Sequence, residues 1–90
     1  MQSDTPSLEI AEDVDKIFLK LKKKDPKQFS IINSKIDQIL KMPEHFKPLR
    51  GDLSGSRRVH AGKSFVLIYD YNKKENIVRI LHYGHHDEVY

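Results

Sequence analysis

The spacing of the apolar residues changes near Pro48, and this change limits the possible folds more than any other feature of the 90-residue chain. Upstream of it, one apolar set recurs at i, i+3, i+4 and i+7: Val14, Ile17, Phe18 and Leu21. This period is typical of an amphipathic helix, here predicted over residues 11–23. Carboxylates near its start and lysines near its end suit the helix dipole.

A second helix is predicted directly after the first. Asp25 can cap it, Pro26 suits its first position, and Gln28 stands where a capping box takes an amide or an acid. Its apolar stripe comprises Phe29, Ile32, Ile36, Ile39 and Leu40. The helix is expected to end near Met42, before Pro43. The two helices together form a helical hairpin.

After Pro48 the pattern becomes that of strands and turns. Strands are predicted at residues 57–61, 65–71 and 77–83, the last ended by Gly84, with a weak edge strand at residues 7–10. Short turns make the three later strands antiparallel. Residues 65–71 are almost continuously apolar, so this strand is expected to be central and covered on much of both faces.

The predicted fold class is therefore α+β, in the order β-α-α-β-β-β, with a helical hairpin packed on a small, mainly antiparallel sheet. Residues 1–90 make a single domain, and residues 1–6 are expected to be flexible. The sheet face away from the helices should stay partly open and collect basic side chains according to the strand register: Arg58, His60, Arg79 or His82.

Charge and composition narrow the class of protein. Lys and Arg total 16 against 13 Asp and Glu, and the net charge of +3 favours a polyanionic partner without requiring one. The absence of cysteine excludes disulfides, a thiolate nucleophile and a zinc finger. No apolar run approaches the roughly 18 residues of a membrane span, and the N-terminus lacks the pattern of a signal peptide. The expected location is the cytoplasm, without a membrane partner.

Basic residues cluster around the first long strand: Lys47, Arg50, Arg57, Arg58 and Lys63. A solvated surface is the commonest fate of such residues. A phosphate-binding patch is the alternative, because the planar fork of arginine holds phosphate oxygens in bidentate fashion. The clustering alone favours neither interpretation.

Three of the five histidines lie within residues 81–90: His82, His85 and His86. Histidine is the side chain best suited to proton transfer near neutral pH. The spacing H-x-x-H-H-D matches no standard ligand pattern, so no metal is predicted, and Asp87 is interpreted as a turn or surface residue. The plainer alternative is a pair of exposed loop histidines beside a packing tyrosine, Tyr90.

Histidine, tyrosine and arginine together suit the cleavage of a phosphodiester. RNA carries its own nucleophile, the 2′-hydroxyl. A protein need only move protons and neutralise the crowded phosphate, which these side chains can do without a cofactor.

Three segments carry a resemblance to a known family: residues 48–59, 62–69 and 84–90. They are similar to the P-L-x-G-x-L-x-G…R-R-I run, the hydrophobic-x-Y strand and the G-H-x-x-x-V-Y ending of the RelE/ParE toxin superfamily. Their order and spacing are more specific than any one of them alone. The resemblance covers nearly the whole chain and implies the layout of that family, a helical hairpin followed by three strands.

The resemblance implies the toxin of a type II toxin–antitoxin pair. Members of the RelE, YoeB and YafQ branches are ribosome-dependent endoribonucleases that cut mRNA, and a cognate antitoxin neutralises each of them. The implied partners are therefore an antitoxin, the ribosome and mRNA. The catalytic positions carry over to His86, with His85 as the less favoured register, and to Tyr90.

The run Ser56-Arg57-Arg58-Val59 is similar to a YoeB-type Ser-Arg-Arg-Ile strand that lines the RNA site. The resemblance thus implies a catalytic charge at Arg58. Contacts with RNA or phosphate are expected from Lys47, Arg50, Arg57, His60, Lys63 and Arg79.

Two departures from the family pattern leave alternatives open. Many ribonuclease members carry an arginine three residues before the strand tyrosine, where this chain has Val66. Lys47 stands near the place of an acidic site found in some YoeB-like members. The missing charge must then come from Arg57, Arg58 or Arg79. The alternatives are a ParE-like inhibitor with DNA gyrase as partner, or an inactive homologue that only binds its antitoxin.

Overall fold

The computed structural model describes residues 5–49 and 55–89. Its elements, in chain order, are β1 (Ser7–Ile10), α1 (Glu12–Lys24), α2 (Pro26–Lys41), β2 (Lys47–Pro48), β3 (Ser56–His60), β4 (Phe65–Asn72), β5 (Ile77–His85) and α3 (His86–Val89). The predicted order is confirmed, with two short additions, β2 and α3. Of the six N-terminal residues expected to be flexible, Pro6 is buried, and residues 1–4 lie outside the described residues.

The five strands form one mixed sheet in the order β1-β5-β4-β3-β2. β1 lies at one edge and runs parallel to β5, whereas the other neighbouring strands are antiparallel. The antiparallel pairing predicted for the three long strands is therefore confirmed, as is the edge position of β1. The fold belongs to the predicted α+β class, two helices packed on a mainly antiparallel sheet.

The hydrophobic core lies between the helical hairpin and one face of the sheet, here called the helix-side face. Its buried members are Val14, Phe18, Ile32, Ile36, Ile39, Val59, Ala61, Leu67, Tyr69, Val78 and Ile80. Both predicted helical stripes supply these residues, although Ile17 is 38% exposed at the margin. Within the described part of the chain, no helix combines the length and the apolar character that crossing a membrane requires.

The junction between α1 and α2 corrects one prediction. Asp25 caps α2 as expected, because its Oδ1 accepts a hydrogen bond from the Gln28 backbone N–H at 3.2 Å. The Gln28 side chain does not complete a capping box. The Asp25 N–H already donates to the Leu21 carbonyl at 2.8 Å, and Gln28 Nε2 donates instead to the Ala61 carbonyl at 2.8 Å. This bond ties the first turn of α2 to the end of β3.

The prediction that Gly84 ends the last strand is wrong. Gly84 pairs with Val66 and His85 pairs with Phe65, so β5 continues until its partner β4 begins. Pairing with a neighbouring strand therefore overrides the local preference of glycine for turns. The consequence is that His85 belongs to the sheet, and His86 is the first residue beyond it.

The sheet face away from the hairpin, here called the open face, also has a buried centre. Val66 and Ile68 of β4 are both 0% exposed, yet they are not part of the cluster beneath the helices. Side chains alternate between the faces of a strand, which places these two on the open face. The prediction that β4 is covered on much of both faces is confirmed.

Tyr69 gives the fold a measurable dependence on alkaline pH. Its buried hydroxyl donates to the Pro43 carbonyl at 2.7 Å, and burial raises its pKa to about 12. An unfolded chain loses this proton near pH 10. The stabilisation is therefore complete below about pH 10 and is lost as the pH rises towards 12. Tyr69→Phe should lower the free energy of unfolding by about 1–3 kcal/mol at neutral pH.

The difference in unfolding free energy between wild type and Tyr69→Phe is expected to narrow as the pH rises above about 10. Denaturant unfolding of both proteins from about pH 7 to 11 measures this difference. The other titrating groups are the same in both proteins, so their effects on the unfolding free energy cancel. A difference that stays constant over this range would contradict the account.

Candidate active site

Three cross-strand rows of residues run across the open face. The first row is His60, Val66 and Gly84, the second is Lys47, Arg58, Ile68 and His82, and the third is Ser56, Asp70, Arg79 and Glu9. Directly opposed residues in neighbouring strands share one face of a sheet. Basic side chains thus flank the two buried apolar residues at the centre of the open face.

The two adjacent arginines of β3 lie on opposite faces of the sheet. Arg57 is on the helix-side face, and its Nη1 donates to the Phe46 carbonyl at 2.8 Å. Arg58 lies on the open face, paired with Lys47 on one side and Ile68 on the other. The structure therefore divides the predicted arginine pair, and Arg58 is the one that shares a face with Val66.

Arg79 lies on the open face but at its far end. Its Nε is 3.1 Å from Oε1 of Glu9, and both side chains are about half exposed. Arg79 pairs with Asp70, four residues along β4 from Val66, a separation of about 13 Å along the strand. The charge of Arg79 is partly offset by Glu9 and is distant from the row that contains Val66.

Several predicted site residues lie at the end of the sheet where β5 finishes. β3 ends at His60, and the turn from β3 to β4 contains Lys63. β5 ends at His85, opposite the first residue of β4. His60 and Lys63 are exposed, whereas His85 and His86 are partly buried. This end of the sheet therefore carries imidazoles and positive charge, with His60 on the open face and His85, which pairs with Phe65, on the helix-side face.

His85, His86 and Asp87 form a compact group, here called the histidine cluster. Asp87 Oδ1 lies 2.8 Å from His86 Nδ1, and Asp87 Oδ2 lies 3.6 Å from His85 Nδ1. The Asp87 backbone N–H donates to His85 Nδ1 at 3.3 Å. Because the carboxylate engages His86 through Nδ1, the Nε2 atom of that ring is left for proton transfer.

The histidine cluster rests on the start of β4. The His86 N–H donates to the Ser64 carbonyl at 2.9 Å, and the His85 ring meets Phe65 edge to face, with centroids 5.8 Å apart. Phe65 stacks on Tyr83 at 5.3 Å, and Gln28 Nε2 donates to the Tyr83 hydroxyl at 3.0 Å. The position of His85 is thus linked through two rings to the first turn of α2.

Tyr83 acts as support for the cluster. Burial raises its pKa, so its hydroxyl stays protonated near neutral pH and cannot serve there as a base. Its ring also meets Phe18 of α1 edge to face at 5.5 Å. Tyr83 therefore joins the core beneath the hairpin to the end of the sheet.

Sequence reasoning missed the contribution of Asp87, which was predicted to be a turn or surface residue. The available signal was its position directly after two histidines at a strand end. Two other predicted site residues, Arg50 and Tyr90, lie outside the described residues. Their predicted roles in phosphate binding and catalysis stay predictions.

The contact made by Arg57 predicts that this residue stabilises the fold. Arg57→Ala removes the hydrogen bond to the part-buried Phe46 carbonyl and should lower the free energy of unfolding by about 1–3 kcal/mol. Arg79→Ala is the matched control, because its exposed ion pair with Glu9 should contribute only about 0–1 kcal/mol. Urea unfolding of both variants makes the comparison, and equal losses would argue against the division of roles.

Comparison with known proteins gives a consistent family assignment. The model of the family described as the ParE toxin of type II toxin–antitoxin system, parDE, matches residues 7–90. A candidate toxin, RelE4 of Methanocaldococcus jannaschii, is 39% identical over 83 residues, which cover 92% of this chain and 88% of the relative.

Two solved structures share the fold at low sequence identity. The YoeB/ParE toxin from Agrobacterium tumefaciens superposes with a TM-score of 0.80 at 15% identity, covering 89% of this chain and 98% of that one. A chain of the RelBE2 toxin–antitoxin complex from Mycobacterium tuberculosis superposes with a TM-score of 0.73 at 19% identity, covering 90% and 98%. The sequence match over residues 7–90 and the shared fold show that the chain belongs to the RelE/ParE superfamily of type II toxins.

Proposed function

We propose that this toxin is a ribosome-dependent endoribonuclease that cleaves mRNA in the cytoplasm. In the proposed reaction, a base removes the proton of a 2′-hydroxyl, and the 2′-oxygen attacks the adjacent phosphorus. The bond from phosphorus to the 5′-oxygen breaks, and this oxygen takes up a proton from an acid. The products are a 2′,3′-cyclic phosphate and a 5′-hydroxyl, and the reaction requires no cofactor.

The observation that carries the proposal is the contact between His86 and Asp87. The 2.8 Å approach of Asp87 Oδ1 to His86 Nδ1 orients the ring and favours the tautomer with its Nε2 free. His86 would act as general acid or base, with His85 and Tyr90 as the other predicted catalytic groups. Asp87 would be a positioning residue, because it acts through His86.

Arg58 is the best candidate to replace the arginine that the family carries at the position of Val66. It lies on the same face as Val66 and one row away, whereas Arg57 lies on the helix-side face and Arg79 lies at the far end of the open face. In the proposal, Arg58 neutralises charge on the scissile phosphate.

The remaining basic residues would steer RNA towards the site by long-range attraction. They are Lys47, Arg50, Arg57, His60, Lys63 and Arg79. Because such attraction is shared among many charges, substitution of any one of these residues should reduce the rate of mRNA cleavage less than substitution of Arg58.

A cognate antitoxin is the proposed protein partner, and the hairpin offers it a docking groove. Apolar residues of β1, α1 and α2 line this groove: Leu8, Ile10, Phe18, Leu19, Phe29, Ile36 and Leu40. Leu8 and Leu19 are 39% and 60% exposed. Asp15, Lys22 and Asp37 also line the groove, and the neighbouring α1 carries further exposed lysines: Lys20, Lys23 and Lys24. An amphipathic helix with acidic flanks would match both features.

Leu19→Glu tests the antitoxin groove. A carboxylate in place of an exposed apolar side chain should weaken docking of an apolar helix face, so neutralisation by co-expressed antitoxin should fail while toxicity persists. Complete neutralisation of the variant would place the antitoxin elsewhere on the toxin.

Inducible expression of the wild-type chain tests the proposed function. Growth arrest should accompany new 5′ ends inside translated codons of an abundant message, mapped by primer extension. The cuts should disappear when initiation of translation is blocked before induction. Cuts that persist without translating ribosomes would contradict the ribosome dependence.

Inhibition of DNA gyrase is the second candidate function. Two observations favour it: the matching family model is described as that of ParE toxins, and Val66 is an apolar, fully buried residue where many ribonuclease members carry arginine. Purified chain would then block supercoiling by gyrase and leave mRNA intact. A supercoiling assay beside the primer-extension experiment separates the two candidates.

A further inference from the structure

The geometry of the histidine cluster points to a transition-metal site, which we propose binds a divalent ion such as Zn²⁺ through His85, His86 and Asp87. Each residue offers one ligand atom, and these atoms all lie within 4.8 Å of one another. The sequence spacing indicated no metal, because standard patterns separate their ligands by two or more residues. Here the turn from β5 into α3 gathers three consecutive side chains.

The ligand atoms of the cluster are near enough to one another to reach a single ion. A tetrahedral zinc site with bonds of about 2.0–2.1 Å holds its ligand atoms roughly 3.4 Å apart. In the metal-free cluster, Asp87 Oδ1 lies 2.8 Å from His86 Nδ1 and Asp87 Oδ2 lies 3.6 Å from His85 Nδ1, and one ligand atom from each residue lies within 4.8 Å of the others. Small side-chain rotations would therefore bring the donors to one ion.

The type of donor indicates the type of metal. Two imidazoles and one carboxylate suit Zn²⁺, Ni²⁺ or Cu²⁺, whereas Mg²⁺ prefers oxygen ligands and retains its water. The cluster is partly open to solvent, since the side chains of His85 and His86 are 38% and 40% exposed. Water could complete the coordination. Binding would displace the proton between His86 Nδ1 and the Asp87 carboxylate.

The backbone around the cluster is already ordered. β4 pairs with His85 through Phe65, and the His86 N–H is bound to the Ser64 carbonyl at 2.9 Å. The Phe65 ring supports the His85 ring from the side at 5.8 Å. Metal binding would therefore restrict little more than the side-chain rotamers. A site with an ordered backbone binds more tightly than one whose backbone must be ordered on binding.

Metal binding has a consequence for the proposed ribonuclease, and this step rests on the proposed function. An ion bound to His86 and Asp87 would occupy the imidazole and the carboxylate on which the proposed proton transfer depends. Cleavage of mRNA would therefore be inhibited. Free transition metal would then inhibit the toxin rather than activate it.

Calorimetric titration of the metal-free, full-length chain with ZnCl₂ tests the site. We expect saturable binding of one ion per chain and no binding of MgCl₂. His86→Ala and Asp87→Asn should each weaken Zn²⁺ binding by about 10- to 100-fold. His45→Ala is the matched control, since His45 is an exposed histidine outside the cluster, and its affinity should equal that of wild type.

Absence of saturable binding, or equal weakening by His45→Ala, would overturn the proposal. Nitrogen chemical shifts of His85 and His86 that do not move on Zn²⁺ addition would also overturn it, even where a variant fails to fold. The cleavage assay with added Zn²⁺ is a separate arm. A chain that binds Zn²⁺ but cleaves no RNA even without Zn²⁺ would count against the proposed function alone. A chain that cleaves RNA but binds no Zn²⁺ would count against the metal site alone, and cleavage unchanged by bound Zn²⁺ would overturn the inhibition.

Discussion

His86→Ala is expected to reduce mRNA cleavage by about 10²- to 10⁴-fold, the usual contribution of a positioned acid or base. The side chain lies at the end of the sheet, about 40% exposed and in contact with Asp87 at 2.8 Å. Its removal takes no residue from the core beneath the helices, so the fold should persist. Cleavage by equal amounts of folded wild type and variant, followed on one message over time, measures the ratio.

The matched control for this substitution is His45→Ala. His45 is exposed, and its ring meets Phe46 edge to face at 5.3 Å, outside the histidine cluster. Its loss should leave the cleavage rate close to that of wild type. Full activity of a folded His86→Ala protein would remove His86 from the catalytic role, and equal loss in both variants would indicate a nonspecific effect.

Ile32→Ala is expected to lower the free energy of unfolding by about 2–5 kcal/mol. Ile32 is 0% exposed on α2 and packs within the cluster between the hairpin and the sheet. Truncation loses the burial of the removed carbons and leaves a cavity that the neighbours fill only in part. Domains of this size are stable by only about 5–15 kcal/mol, so this one substitution removes a large share.

Leu19→Ala is the control for core truncation, because Leu19 is 60% exposed. Its effect on unfolding should stay within about 0.5 kcal/mol, as for most surface substitutions. Denaturant unfolding at neutral pH compares the two variants with wild type. A loss for Leu19→Ala as large as that for Ile32→Ala would mean that the described core is not the one that stabilises the fold.

The helices and the order of elements were predictable because each rests on a local pattern. A period near 3.6 residues marks the stripes of α1 and α2, and every fully buried helical residue belongs to them. The caps at Asp25 and Pro26 are equally local. The length of β5 was not local, since pairing with β4 extends it through Gly84 to His85.

The face occupied by each basic residue could not be predicted, because it depends on strand register. The pairing of β4 with β5 shifts between Ile68 and Tyr69, so that Ile80 and His82 are paired with consecutive residues. Without this irregularity, His82 would follow Ile80 onto the helix-side face. With it, His82 lies on the open face together with Arg79. The sequence predicted that one or the other would lie there, depending on the strand register.

The candidate site was predictable by residue type but not by contact. His85 and His86 stand at a strand end in the sequence, and the structure brings them together there. Arg57 and Arg58 lie on opposite faces because neighbouring residues of a strand alternate, whereas the hydrogen bond from Arg57 to the Phe46 carbonyl, 11 residues away along the chain, could not be predicted. The role of Asp87 depends on the turn into α3, which no periodic pattern marks in a four-residue helix.

Cleavage of a defined message in a reconstituted translation system tests the central claim most directly. Wild-type toxin should cut the message only when ribosomes occupy it, and each upstream fragment should end in a 2′,3′-cyclic phosphate. His86→Ala should leave the message intact under the same conditions. An uncut message on loaded ribosomes, together with inhibition of gyrase supercoiling by the same preparation, would contradict the account.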